Sequence, residues 1–291
     1  MRDVAFKSIR ILIGVVLLGL FAGGLQADPP SGYYEDARGK SGAALREALH
    51  AIIRDHEVLP YTRSGNDDWL DGEDRDVWEA LLYTDSACPD YRPECGLVQL
   101  LYLDDFRHLD MAYRGGRGPD KWSREHIWPK SRGFPRQSQD GYTDLHHLRP
   151  ADRSLNGAHR NYGYDDGGER VMDRLSDGSE VATTARLDRD RASFEPPDRA
   201  KGQVARMLFY MAVRYEGDGD MPDLELVNRT ELTDEPRIGR LCTLLDWHNQ
   251  YGPTDFERRR NDRVHAIQGN RNPFIDEPGW ANLIWGQRCE A

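Results

Sequence analysis

Glu125 and His126 are neighbours in the run WSREHIWPKSRG, from Trp122 to Gly133, where they share a short stretch with two tryptophans and several basic side chains. A carboxylate suits a hard divalent cation, and a neutral imidazole beside that cation can take a proton from water. Asn156, further along in ADRSLNGAH, offers an amide oxygen to the same ion. One Mg²⁺, or Mn²⁺ or Ca²⁺, held by Glu125 and Asn156 would leave coordination positions for water and substrate. His126 would then activate the water, and Arg132, Arg136 or Arg149 would offset charge building on a phosphorus. That constellation suits phosphodiester hydrolysis. Spacing alone does not single it out, since short Glu-His pairs are common, a lone histidine is usually structural, and a lone asparagine usually caps or turns.

These groups need elements to bring them together. Pro129 stops any regular element, so Glu125 to Trp128 reads as a short strand. Asp140-Gly141 is a turn signal, Asp144 to Leu148 a second extended segment, and ADRSLNGAH after Pro150 a short helix. On a strand His146 and His147 point to opposite faces, which places one in the core and one, His147, near the site as a brace for a ligand. Trp122 and Trp128 read as core walls rather than stacking platforms.

Around this motif, Ser41 to His56 has the spacing of an amphipathic helix with Ser41 as N-cap. Asp67 to Asp76 is an acidic loop, Val77 to Tyr83 a short apolar element of either type, and GLVQLLYLDDF a strand-like or buried segment. RGGRGPDK, from Arg114 to Lys121, is loop, and Asp165 to Arg191 is hairpin and loop. Helices are predicted over Asp198 to Arg214 and Ile238 to Tyr251, and a third opens at the capping box Thr254-x-x-Glu257. Arg258, Arg259, Arg260 and Arg263 read as a solvated charged face, and the tail NRNPFIDEPGW as a cover over the surface. With no internal repeat and no long linker, residues 28–291 form one α+β domain.

The first 27 residues stand apart. Arg2, Lys7 and Arg10 precede an apolar run from Ile11 to Phe21, and small residues lead to Ala27 before Asp28-Pro29-Pro30, the layout of a secretory signal cut after Ala27. The apolar run is short of the ~20 residues of a membrane span. An exported, membrane-free chain makes disulfides the natural state of its four cysteines. Cys88 and Cys95 close an easy local loop, CPDYRPEC, which leaves Cys242 with Cys289; no CxxC spacing suggests zinc. Without the leader the balance is 36 basic to 49 acidic residues. That excludes non-specific coating of nucleic acid or anionic lipid and predicts few phosphate contacts.

REHIWPKS and DLHHLRPADRSLNGAHRN resemble the bacterial endonuclease I family of periplasmic and extracellular nucleases, as do FEPPDRAKGQVARMLFYMAVRY, IQGNRNPF and the upstream YYEDARGKSGAALREALHAIIRDHEVLPYT. The resemblance spans nearly all of the chain after the leader. It implies a ββα-metal nuclease, monomeric, periplasmic or secreted, that cuts DNA, RNA or both with little sequence preference. By position, His126 matches the general base and Glu125 and Asn156 the metal ligands. Arg132 is the expected transition-state arginine, and Arg149, His147, Arg160 and Asn161 are expected to support site or substrate. Two departures stand out. The family commonly has Asn-x-x-Arg-x-Asn, and here the arginine position is His159, followed by Arg160 and Asn161, so either Arg160 substitutes or substrate is clamped differently. Tyr142 stands where some members carry an acid. Two other classes fit the same residues: a non-catalytic nucleic-acid-binding protein on this scaffold, and a phosphodiesterase for smaller esters.

Overall fold

Leu45, Ala48, Leu49 and Ile53 bury one side of the first helix, α1 (Gly42–Ile53), as the apolar spacing predicts. Ser41 holds its N-cap position without a side-chain bond. The computed structural model describes residues 28–62, 75–90, 95–115 and 118–290; the expected signal segment 1–27 and most of the Asp67 to Asp76 stretch lie outside the described residues. Next, Asp76 accepts from the amides of Trp78 and Glu79 while Glu79 reaches back, a capping box that resolves Val77 to Tyr83 as helix α2 (Val77–Thr84). β1 (Leu97–Gln99) and β2 (Phe106–His108) pair antiparallel within the strand-like stretch.

The predicted strand–loop–strand–helix order is present, with shifted bounds. β3 (Trp122–His126) starts earlier than expected and stops before Pro129. Its partner is β4 (Leu148–Asp152), not Asp144 to Leu148, and α3 (Arg153–His159) follows at once. Pro150 lies inside β4, opposite Arg124. A two-stranded sheet permits this, because β4 has a neighbour on one side only and the missing N–H can face away from it. Asp144 to His147 is instead a turn. Its Asp144 carboxylate accepts from the His146 amide (2.9 Å), the Tyr210 and Tyr215 hydroxyls (2.8 and 2.9 Å) and Gln268 Nε2 (3.1 Å).

β5 (Gly163–Tyr164), β6 (Glu169–Arg174), β7 (Glu180–Asp188) and β8 (Ser193–Glu195) form a sheet of order β5-β8-β7-β6, with β6 and β7 the expected hairpin. α4 (Asp198–Arg214) has the predicted ends and is the central helix, buried from Ala200 to Arg214. It packs so closely on the chain's later turns that a Cβ at Gly202 would meet the Tyr251 carbonyl oxygen at 2.1 Å. β9 (Glu225–Leu226) and β10 (Arg237–Ile238) pair parallel, and Ile238 is therefore strand, so α5 (Leu241–Gln250) begins later than predicted. α6 (Asp255–Gln268) opens on the Thr254–Glu257 capping box and ends at Gly269 in the left-handed region.

Two expectations about the C-terminal part are corrected. The tail forms α7 (Pro273–Asp276) and α8 (Gly279–Trp285), and Phe274, Trp280 and Trp285 enter the main core instead of lying over it. The arginine run is not a solvated face either. Arg260 is buried against Asp85, and Arg263 donates to the carbonyls of Tyr83, Cys88 and Pro89. The predicted disulfides are both present, Cys88–Cys95 and Cys242–Cys289. Among the described residues no helix is long and apolar enough to cross a membrane.

Candidate active site

The antiparallel register of β3 and β4 sets Glu125 opposite Arg149 and His126 opposite Leu148. α3 leaves β4 without a loop because Asp152, the last residue of the strand, is also the N-cap: its carboxylate accepts from the amides of Ser154 (2.7 Å) and Leu155 (3.3 Å). Asn156, midway along α3, turns back onto β3. Its Nδ2 donates to Ser123 Oγ (3.0 Å) and to the Arg124 carbonyl (3.3 Å). The carbonyl accepts only, so it fixes the amide's orientation and leaves Oδ1 as the outward end.

Glu125 is buried, and one of its oxygens is held from two sides. Oε1 accepts from the Tyr102 hydroxyl (2.9 Å) and from His159 Nδ1 (2.6 Å), while Oε2 has no protein donor among the described residues. Burial and the Glu125 charge push the Tyr102 hydroxyl well above its ordinary range, so it remains a donor. Tyr102 also lies 2.9 Å from the Tyr164 hydroxyl, which donates to the Ile127 carbonyl. His159 stacks on Tyr164 with ring centroids 4.8 Å apart, and its Nε2 meets the Tyr162 carbonyl at 3.2 Å. Both of its ring nitrogens thus face oxygens, with the shorter contact to Glu125.

His126 Nε2 lies 2.9 Å from the Tyr142 carbonyl. A carbonyl requires the hydrogen on Nε2, so the lone pair sits on Nδ1. Burial, then the neighbouring His147, holds the His126 pKa well below its ordinary value, and the ring is neutral. His126 keeps 8% of its surface exposed, whereas His147 has none and its Nδ1 is sealed without a partner among the described residues. His147 packs 5.5 Å from the His126 ring and donates through Nε2 to the Gly141 carbonyl (2.7 Å); burial lowers its pKa to about 4. It therefore walls His126 rather than bracing a carboxylate. His146 is turned away, toward the Asn270 carbonyl. Both occupy the turn, so the strand-face argument for them does not apply.

Residues 41–279 match the Endonuclease I family. The chain belongs to that family. It is 42% identical over 254 residues to an extracellular ribonuclease of Bacillus subtilis (strain 168), covering 87% of this chain and 78% of that protein. It is 27% identical over 133 residues to Endonuclease-1 of Buchnera aphidicola subsp. Baizongia pistaciae (strain Bp), 46% of each chain. A periplasmic deoxyribonuclease of Aeromonas hydrophila is 29% identical over 136 residues, 46% of this chain and 47% of that one. As a member of the endonuclease I family the protein is an endonuclease acting on nucleic acids.

Within this endonuclease fold the expected arginines take other work. Arg132 is 1% exposed, and its guanidinium donates to the carbonyls of Asn161, Glu231 and Arg237. It ties three segments together and has no face for a phosphate. Arg149 is fully buried, paired with Asp85 and donating to Gln203 Oε1 (2.6 Å). Since Asp85 also pairs with Arg260, this cluster anchors β4 to α2, α4 and α6. Asn161 offers its carbonyl to Arg132, and Arg160 is exposed with φ 53°. At the departure from the family pattern, the His159 ring faces Glu125 and not open space. Tyr102, Tyr164 and the bracing use of His159 were not read from sequence. Tyr102 lies in an apolar run whose spacing carries no chemical signal, and its contact with Glu125 is made only by the fold.

Proposed function

We propose that this endonuclease is exported to the periplasm or medium and hydrolyses phosphodiester bonds of RNA, DNA or both with one divalent ion, Mg²⁺ in the first instance, and little sequence preference. The observation that carries the reading is the meeting of three groups: Glu125 and His126 at the end of β3, and Asn156 tied across to β3 by its amide nitrogen. The oxygens left over, Glu125 Oε2 and Asn156 Oδ1, are the hard donors such a cation takes, so the residues fit the ion. When bound, the ion would supply positive charge to the phosphate and acidity to water.

The remaining chemistry belongs to the chain. His126, neutral and with its lone pair on Nδ1, accepts the proton of the attacking water; the Tyr142 carbonyl fixes the ring's orientation through Nε2. Tyr102 and His159 hold Glu125 Oε1, which sets the direction of Oε2. RNA is included because the relative matched over 87% of this chain is named a ribonuclease, and DNA because shorter matches include a deoxyribonuclease. Export is supported by the extracellular and periplasmic names of those proteins and by the layout of residues 1–27.

The test is incubation of the purified protein with plasmid and with RNA, with and without EDTA, beside His126→Ala. Cleavage should vanish on chelation and drop by about 10²–10⁴-fold in the variant. Cleavage that survives both treatments would refute the mechanism.

A further inference from the structure

A cleft of about 730 Å³ opens between α3 and the β6–β7 hairpin, and five arginines line it: Arg153, Arg160, Arg170, Arg174 and Arg189. The chain carries 50 acidic against 39 basic residues, so this local excess runs against the composition. Two glutamates share the lining; Glu180 pairs with Arg174 at 3.1 Å, and Glu169 is the other. Arg153 lies over the Tyr113 ring at 3.7 Å. The side chains of Arg160, Arg170 and Arg189 are exposed and bond to no side chain or carbonyl among the described residues. Other arginines are tied down by acids, as Arg206 is to Glu257 and Arg271 to Asp276.

Gly157 adds an independent sign. It sits inside α3 with a backbone any residue could adopt, and a Cβ built on it meets nothing within 4 Å. Glycine is a poor helix former, and nothing in the protein requires one here. What its missing side chain leaves is open space in the cleft wall. Asn156 is the next residue, and at 3.6 residues per turn it lies about 60° round the helix from Arg153. The cleft and the proposed metal site therefore share α3.

We propose that this cleft binds the sugar-phosphate backbone of the polynucleotide beyond the scissile bond, with Arg160, Arg170 and Arg189 as phosphate contacts and Gly157 admitting the strand close to α3. The proposal rests on the reading of Glu125, His126 and Asn156 as the cleavage site. Arginine forks match phosphate oxygens, and contacts of this kind position a strand without reading its sequence. Free phosphate or a mononucleotide offers one such group and would hold one arginine at a time; a strand that leaves the site along α3 engages several. Affinity should therefore grow with strand length.

The experiment measures anisotropy of labelled oligonucleotides of increasing length bound by His126→Ala protein, alone and combined with Arg170→Ala/Arg189→Ala or with Gly157→Leu, across a salt series. Cleavage kinetics of the same variants with His126 intact run in parallel. The double arginine variant should raise the Kd for long strands about 10-fold or more and flatten the salt slope by roughly 1.4, at ~0.7 per lost single-strand contact. It should raise KM for polymer while leaving cleavage of a dinucleotide unchanged. Gly157→Leu, which favours the helix, should raise Kd and KM in the same way. Unchanged Kd and salt slope in both variants overturn the cleft, as does binding of a mononucleotide or inorganic phosphate as tight as that of a long strand. Wild-type protein that binds long strands through these residues but cuts nothing refutes the cleavage site and leaves the cleft standing. Wild-type protein that cuts normally, with variants of unchanged KM, does the reverse.

Discussion

Replacing Asp152 by asparagine should stabilise the protein at pH 8 and not at pH 4. Asp152 is fully buried, and Ser154 Oγ lies 2.7 Å from its Oδ1 and 2.9 Å from Asp173 Oδ1. One hydroxyl hydrogen cannot serve two carboxylates, and Asp152 Oδ2 has no partner among the described residues. Burial, and then the Asp173 charge, raise the Asp152 pKa from 3.8 to about 6 against the lowering by Ser154 and the two α3 amides. A raised acid pKa means the folded state holds a proton that the unfolded chain has released. Stability attributable to this group is thus present below about pH 4, declines between pH 4 and pH 6, and is absent above. The gap of roughly two units at 1.36 kcal/mol each makes the loss about 3 kcal/mol. Asparagine keeps an oxygen for the α3 cap and carries no charge to bury, so Asp152→Asn avoids the decline. At pH 8 the variant should melt about 6–12 °C above wild type, taking ~2–4 °C per kcal/mol for a chain of this size. At pH 4 the two should coincide. Paired calorimetric scans at the two pH values read this directly. An equal difference at both, or a less stable variant at pH 8, would show that no proton is held between the two aspartates.

Three further outcomes follow from named contacts. Tyr102→Phe removes one of the two donors to Glu125 Oε1, and the Mg²⁺ concentration for half-maximal cleavage should rise about 10-fold with little change in melting temperature; an unaltered metal titration would sink the bracing role. Gly202→Ala drives a methyl into the Tyr251 carbonyl and should cost about 1–3 kcal/mol or more in denaturant melts, whereas a neutral result would mean α4 and α5 can separate freely. Breaking Cys242–Cys289, which spans 47 residues, should lower stability by about 4 kcal/mol on the loop-entropy scale, and coincident melts with and without reductant would contradict it.

Much of the frame was legible in the sequence because it depends on near neighbours. Apolar spacing gave α4 both of its ends, the Thr254–Glu257 box located the start of α6, and Pro129, the Asp140-Gly141 turn and the segment after Pro150 foretold two strands and a helix. The second strand was misplaced because its register is decided from far away. Tyr210, Tyr215 and Gln268 clamp Asp144 into a turn, and β4 tolerates Pro150 only because it has a single neighbour. The tail failed for a related reason: its prolines speak of turns, but Phe274, Trp280 and Trp285 find the core.

The arginines show where residue type stops being informative. A guanidinium has five donors, which satisfy buried carbonyls and carboxylates as well as they satisfy phosphate. Arg132, the nearest in sequence of the arginines considered for substrate, is buried against three carbonyl-bearing segments. Arg149 lies directly opposite Glu125 in the sheet and is held by Asp85. Arg170 and Arg189, in a hairpin that reads as a plain charged loop, are the ones left unpaired beside α3. In an acid-rich chain many cations find acids or carbonyls during folding, as Arg206 and Arg132 do, so an exposed one with neither is free for substrate. Sequence proximity to a catalytic pair is therefore the wrong guide to substrate arginines; the sounder one is an exposed guanidinium with no acceptor of its own, on the wall of a cleft that reaches the site.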